Sequence, residues 1–360
     1  MDTDQIPVRR LGLSLLPGLL CRLRHRQTQA ILAVTLVVAA WLRWVPLVVN
    51  RFHEDEALYS TWAMRIASGM DPLLLDVLVD KPPFLLYVQA ALFRLLGSSE
   101  VVARLPGLIA GVGTVVCAYG LANRLYGRRA GILTSVALAL SPFHILLSGT
   151  AFTDPVLLFW VVAALWATAA GRWGVSGVML GLAASTKQHW LVFVPLVILL
   201  AALQWRLVGK GQWSGHRVWP LLATTGVSGV AVLRVPRQAN SSRAGLRLVG
   251  AMVAGVAGPL ALTTWWDMQR WATRPSYFDR SISAYGGLQI VGLNELVGRA
   301  EAWLLQARYL GASPVGNGLI LLSCALVLVH ALGTLRHSRR TETASQAWAD
   351  LLWLSFGVGY

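Results

Sequence analysis

The sequence predicts an all-α polytopic protein whose helices cross a lipid bilayer. Its 360 residues are 56% hydrophobic and only 13% charged, about half the charged fraction of an average soluble protein. Mean hydropathy is +0.58, and apolar runs recur that approach about 20 residues, the length a helix needs to cross the hydrocarbon core. An ordinary soluble enzyme and a disordered chain are both excluded. The net charge of +15, from 31 basic and 16 acidic residues, suits cytoplasmic loops whose Lys and Arg resist translocation. No nucleic-acid module interrupts the spans, so nucleic acid is not expected as a partner. Cys21, Cys117 and Cys324 lie scattered in apolar surroundings. That pattern fits inert packing, not a zinc set or a disulfide framework.

Taken in order, residues 1–29 form a basic cytoplasmic N-terminus with Arg9, Arg10, Arg22, Arg24 and Arg26. No cleavage site clearly follows, so this stretch is read as an anchor that stays attached. The first span, Ala30 to Val49, therefore runs outward into an outer loop, 50–100. That loop is acidic, with Glu54, Asp55, Glu56, Asp71, Asp76 and Asp80. Phe84 to Leu96 is too short to span and is expected to lie flat on the outer surface. Val101 to Ala122 then runs inward and leaves Arg124, Arg128 and Arg129 in the cytoplasm, as the charge rule prefers. Ala130–Leu147 goes out and Val156–Ala170 comes back. Val175–Ser185 and Trp190–Leu203 form a hairpin with the outer tip Thr186-Lys187-Gln188-His189.

Residues 205–247 contain seven basic residues and no acidic one, which predicts a cytoplasmic segment. The weakly apolar Val218–Leu233 inside it is read as interfacial or re-entrant. Leu248–Trp266 runs outward to Trp265, Trp266 and Trp271, a cluster suited to a headgroup belt. Residues 267–314 make a second outer loop with an amphipathic stretch, Leu293 to Tyr309, and Val315–Leu332 returns. The piece from Trp348 stops at Tyr360 before a full crossing, and is read as part of a longer protein. On this map twelve of the sixteen acidic residues lie outside. The charge rule hardly uses Asp and Glu, so their clustering points to chemistry on that face.

The densest constellation is Phe52-His53-Glu54-Asp55-Glu56-Ala57-Leu58-Tyr59. Adjacent acids at a membrane surface are costly unless paired or bound to a cation. Asp55 and Glu56 point about 100° apart on a helix, so one can face a reacting centre while the scaffold holds the other. Asp154, in Ala151-Phe152-Thr153-Asp154-Pro155, lies on the same face by topology. Alone it reads as a helix N-cap; beside Asp55 it reads as a second carboxylate for a divalent cation or for activating a hydroxyl. Lys81, before Pro82-Pro83, suits a phosphate at headgroup depth or simple snorkelling. Lys187 is the only basic residue between Arg172 and Arg206, and an isolated near-membrane lysine is a functional candidate. Arg43, near the outer end of the first span, is suspected on the same ground. His53, with Asp55 and Asp154, is the candidate metal set, and His144 and His189 also fall at outer ends of spans. Gly107-x-x-x-Gly111 and Gly177-x-x-x-Gly181 read as helix-packing contacts.

The order of these motifs resembles a known superfamily. Asp55-Glu56-Ala57-x-Tyr59 precedes Lys81-Pro82-Pro83, Ala103-Arg104-Leu105-Pro106, Tyr126-Gly127-Arg128-Arg129-Ala130-Gly131, Ser141-Pro142 and Thr153-Asp154. Over roughly residues 30–205 this is similar to the GT-C integral-membrane glycosyltransferases, in the branch of protein O-mannosyltransferases and aminoarabinose transferases. The resemblance implies a catalytic module over 30–204 and a polyprenyl-phosphate-linked sugar donor. The sugar is used outside the cytoplasmic membrane, with inversion, on a protein, lipid or glycan acceptor. It further implies Asp55 as catalytic aspartate, Glu56 as its acidic neighbour, Asp154 as the second-loop acid and Lys81 on the lipid phosphate, with Lys187 at a tip where relatives also carry lysine. A divalent metal is the one cofactor considered. A transporter with outward cation sites, or a non-catalytic scaffold, is the competing class; the absence of an internal repeat and the surface position of the acids weigh against the transporter.

Overall fold

A computed structural model describes residues 16–209, 242–286, 292–307 and 313–318, with a few further positions up to 329. Among these residues the regular structure is all helical, without strands. Val218–Leu233, predicted as interfacial, lies outside the described residues.

Helix α1 (Leu16–Val49) leads to α2 (Glu54–Ser68), and α3 (Phe84–Leu96) is followed by α4 (Glu100–Tyr126). After them come α5 (Arg128–Leu140), α6 (Pro142–Ser148), α7 (Thr153–Ala169) and α8 (Trp173–Ala184). A 3-10 turn over Gln188–Phe193 precedes α9 (Val194–Gly209); α10 (Ser242–Met268), α11 (Tyr277–Tyr285) and α12 (Leu296–Ala307) complete the order. Among the described residues, four stretches are long and apolar enough to cross a membrane: 26–49, 100–126, 188–205 and 245–268. The chain is a multi-pass membrane protein.

The expected span over Ala130–Leu147 is instead two helices, α5 and α6, bent by 62°. Pro142 is the cause. It removes the N–H that would close the helix onto Leu138, and it pushes Ser141 into an extended conformation (φ −64°, ψ 117°). Helix α3 does not stand alone. It packs on α2 in a core of Tyr59, Trp62, Ile66, Leu86 and Phe93 that also takes in Leu74, Val79, Ala151 and Trp266. Trp266 is thus an interior residue, 3% exposed, while Trp265 and Trp271 are exposed as a headgroup belt requires. Its indole lies under the Arg270 guanidinium, 4.7 Å away, and this contact turns it inward.

Helix α7 is apolar on every side and sits between α4 and α8, as an all-round hydrophobic helix must be buried among neighbours or in lipid. The two glycine pairs are packing contacts. A β-carbon on Gly107 would fall 2.2 Å from the Thr150 carbonyl oxygen, and one on Gly111 2.3 Å from Ser148 Oγ. Gly177 brings α8 against α10, where a β-carbon would meet the Met252 carbonyl oxygen at 2.0 Å. Small residues allow this approach where lipid tails offer no hydrophobic drive to pack.

Gly177→Ala is therefore expected to destabilise the detergent-solubilised protein by about 1–3 kcal/mol through overpacking. Gly250→Ala, on the same α10 but with open space around the new methyl group, is expected to leave the unfolding temperature unchanged or raised. Thermal unfolding of the two variants beside the parent checks this.

Candidate active site

Four segments meet at one end of the bundle, and a single carboxylate joins them. His53 caps α2: its ring nitrogen accepts from the Asp55 N–H, and its own N–H donates to Glu56 Oε2. This reciprocal box places Glu54, Asp55 and Glu56 in the first turn, where the helix dipole favours negative charge. Glu56 then turns inward and is 1% exposed. Arg104 of α4 donates Nε to Glu56 Oε1 and an Nη to Oε2, both at 2.9 Å. The Ala151 N–H, just before α7, donates to the same Oε1 at 2.7 Å. Arg104, itself 1% exposed, also donates to the carbonyls of Leu47, Asn50 and Arg51 at the end of α1. Burial would raise the Glu56 carboxyl pKa, but the Arg104 bonds and the two backbone N–H groups overcome it and hold the pKa below its ordinary value.

Asp55, one helical step away, is exposed, and among the described residues no cation or donor sits on its carboxylate. The other candidates are paired. Lys187 Nζ lies 2.6 Å from Asp154 Oδ1. Asp154 stands in the first turn of α7, behind the capping position, and makes no cap bond. Lys81 is 5% exposed and lies 2.6 Å from Asp80 Oδ2. Its second neighbour is Tyr285 of α11, whose hydroxyl is 3.2 Å from Nζ and whose ring centre is 4.7 Å away. Burial works against the Lys81 charge, and the Asp80 and Tyr285 bonds outweigh it, so its pKa lies above the ordinary value. The two lysine strands are tied together, because Gln188 Nε2 donates to the Asp80 carbonyl at 2.7 Å and the Phe84 N–H to the Ser185 carbonyl at 3.0 Å. Tyr59 is within electrostatic reach of Asp55, Asp80, Asp154 and Tyr285 at once, and with burial they hold its phenol protonated. His189 is likewise near Lys187, Asp154 and Lys81.

Of the residues predicted for the site, the structure thus gathers Asp55, Lys81, Asp154 and Lys187, and gives Glu56 to the scaffold. Arg43 is elsewhere. It is fully buried between α1, α5 and α6 and donates to the carbonyls of Ala39, Leu138 and Ala139 and to His144. Its guanidinium is spent on the helix break and does not face the lysines. His53, Asp55 and Asp154 do not fit a metal cradle. One ring nitrogen of His53 is used on the α2 cap, Asp154 is neutralised by Lys187, and no group of three potential ligands forms among the described residues. Sequence reasoning missed Asp80, Arg104, Tyr285 and Arg270. Arg104 had a signal, being an arginine inside an apolar helix, well away from its cytoplasmic end; Tyr285, about two hundred residues from Lys81, had none.

Comparison with known proteins bears on the fold. Residues 80–253 match the family model described as "Dolichyl-phosphate-mannose-protein mannosyltransferase". The crystal structure of ArnT from Cupriavidus metallidurans in the apo state superposes with a TM-score of 0.52 at 17% identity, covering 91% of this chain and 59% of that one. The chain has the GT-C fold. Two Bacillus subtilis proteins are similar in sequence to this chain. One, named "Putative mannosyltransferase YycA", is 25% identical over 234 residues, 61% of this chain and 34% of its own length. The other, named "Putative mannosyltransferase YkcB", is 32% identical over 93 residues, 25% of this chain and 13% of its own. The chain therefore matches about a third or less of the length of these relatives.

Removing Arg104 alone strands a buried carboxylate, so Arg104→Leu is expected to cost about 3–5 kcal/mol. The depressed Glu56 pKa stabilises the fold at neutral pH. That contribution fades as pH falls below the ordinary value of 4.5 and through the folded one. Thermal unfolding from neutral pH down to about pH 3 is expected to show a steeper acid loss for the parent than for Glu56→Gln.

Proposed function

We propose that this GT-C protein is an inverting glycosyltransferase using a polyprenyl-phosphate-linked sugar at the outer face of the cytoplasmic membrane. The observation that carries the proposal is an exposed carboxylate, Asp55, with no cationic partner among the described residues, at the same bundle end as two lysines whose charge is already secured by Asp80 and Asp154. The matched family's name, which pairs a lipid-phosphate-linked mannose with a transferase, supports the same reading.

In this reading the acceptor hydroxyl approaches Asp55, which takes its proton as the oxygen attacks the anomeric carbon. The bond from that carbon to the phosphate oxygen breaks on the opposite side, and its electron pair leaves with the lipid phosphate. Each lysine ammonium has three N–H donors. Lys81 spends two on Asp80 and Tyr285 and Lys187 one on Asp154, which leaves donors on both for phosphate oxygens. A charge developing on the leaving group is met by cations already in place. Glu56 positions Asp55, and Asp154 positions Lys187. The acceptor is a hydroxyl, or a phosphate, on a protein, lipid or glycan. The bilayer supplies the donor and no nucleic acid takes part. Residues 30–204 form the catalytic module, and the described helices α10, α11 and α12 lie beyond it.

Protein in lipid, supplied with polyprenyl-phosphate mannose and a panel of other polyprenyl-phosphate sugars, is expected to consume one of them. Asp55→Asn should lower that turnover by about 10²–10⁴-fold, the usual weight of a general base, with an unchanged unfolding temperature. Full turnover by Asp55→Asn would remove Asp55 from the chemistry. Lys81→Ala is expected to raise the donor KM by about 10–100-fold, the worth of one charged hydrogen bond; an unchanged KM would take Lys81 off the phosphate.

A further inference from the structure

The break between α5 and α6 is closed by two side chains that the site itself does not use. Within a helix the Leu138 carbonyl would accept from residue 142, and Pro142 has no N–H to give. The Ser141 N–H reaches that carbonyl at 3.3 Å, and Arg43 adds further donors from α1. One of its Nη atoms reaches the Leu138 carbonyl at 3.0 Å; the other reaches the Ala139 carbonyl at 3.1 Å and Ala39 of its own helix at 2.9 Å. The first also donates to His144 Nδ1. A guanidinium has no acceptor, so His144 must present a bare Nδ1 and carry its proton on Nε2. Arg43 is fully buried and His144 is 6% exposed. One cation thus ties α1 to the last turn of α5 and the first turn of α6.

What α6 leads to gives this lock a consequence. Beyond Ser148 the chain passes against α1, where a β-carbon on Gly149 would lie 3.0 Å from the Leu47 N and 3.3 Å from the Arg43 carbonyl oxygen. Two residues later the Ala151 N–H meets Glu56, and three further on stands Asp154 with its lysine. The direction of α6 therefore sets where residues 149–154 enter the site.

We propose that Arg43 and His144 form an intramembrane positioning lock, acting through α6 on the segment that carries the Ala151 N–H and Asp154. The proposal rests on the transferase reading for its kinetic consequence, and on geometry alone for its structural one. Neither residue touches substrate. Loss of the His144 acceptor lets α6 swing, and displacements of about 1 Å remote from the chemistry can cost on the order of 10²-fold in rate.

The test compares the full chain with His144→Leu, which deletes the acceptor, and His144→Asn, whose Oδ1 falls near the Nδ1 position. Amide hydrogen exchange is followed over 149–154 and over 156–169, together with turnover and donor KM. His144→Leu is expected to speed exchange across 149–154 while 156–169 stays protected, and to lower kcat by about 10–100-fold with donor KM within about twofold. His144→Asn is expected to restore both readouts most of the way. Unchanged exchange over 149–154 in His144→Leu would overturn the lock, as would equal loss of protection in both segments, which marks general fold support. A parent protein that turns over no donor would instead fail the transferase reading, and the exchange arm would still decide the lock.

Discussion

The arrangement depends on a buried ion pair between Glu56 and Arg104. Sequestering two charges costs several kcal/mol per ion, and the pair repays this only when every remaining donor and acceptor is satisfied. Here the guanidinium also meets three carbonyls at the end of α1, and the carboxylate also meets the N–H groups of His53 and Ala151. The stabilisation is therefore best seen as a constraint. An apolar pair of equal volume would fill the space, but it would not fix α1, α2, α4 and the α6–α7 segment to one another. That fixing determines where Asp55 points.

Charge at the site follows a division of labour. Glu56, Asp80 and Asp154 each have a cationic partner within 3 Å, so three carboxylates are neutralised by the protein. Asp55 is left over. The first outer loop that carries Lys81 is held from behind by the turn that follows α10. Arg270, fully buried, donates to the carbonyls of Leu74 and Val77, and Arg274 to those of Leu75 and Asp76. Leu74 has a left-handed backbone (φ 56°), a conformation costly for a branched side chain; the Arg270 bond and complete burial of its side chain keep it there.

Much of this was legible in the sequence, for identifiable reasons. Apolar run length fixes the crossing helices because lipid satisfies no backbone group, and the order of short motifs points to the fold. The different fates of Asp55 and Glu56 follow from the 100° step between them, although which of the two turns inward requires Arg104 in three dimensions. The break at Ser141-Pro142 was written in the chain as a proline, yet an apolar run continuing on both sides hides it. Arg43 was hard to place from the sequence for a related reason. A lone arginine near the end of a span signals a buried partner, and sequence alone does not say whether that partner is a ligand or a set of carbonyls. Tyr285 and Arg270 were invisible because loop-to-loop contacts about two hundred residues apart leave no local pattern.

Each site residue also stands where a helix stops. Asp55 follows the gap between α1 and α2, Lys81 precedes Pro82-Pro83, Asp154 follows the turn at Gly149–Phe152, and Lys187 lies between α8 and the 3-10 turn. Interrupted helices leave carbonyls and N–H groups that the hydrocarbon region does not tolerate unless protein or water satisfies them. Arg104 does so for the end of α1, Gln188 for the Asp80 carbonyl, the Phe84 N–H for Ser185, and Arg43 for α5. The side chains that mend the breaks come from other broken ends, so they draw those ends together. Gathering the charges and closing the backbone are thus one physical event, and this is why residues so far apart in sequence converge on a single end of the bundle.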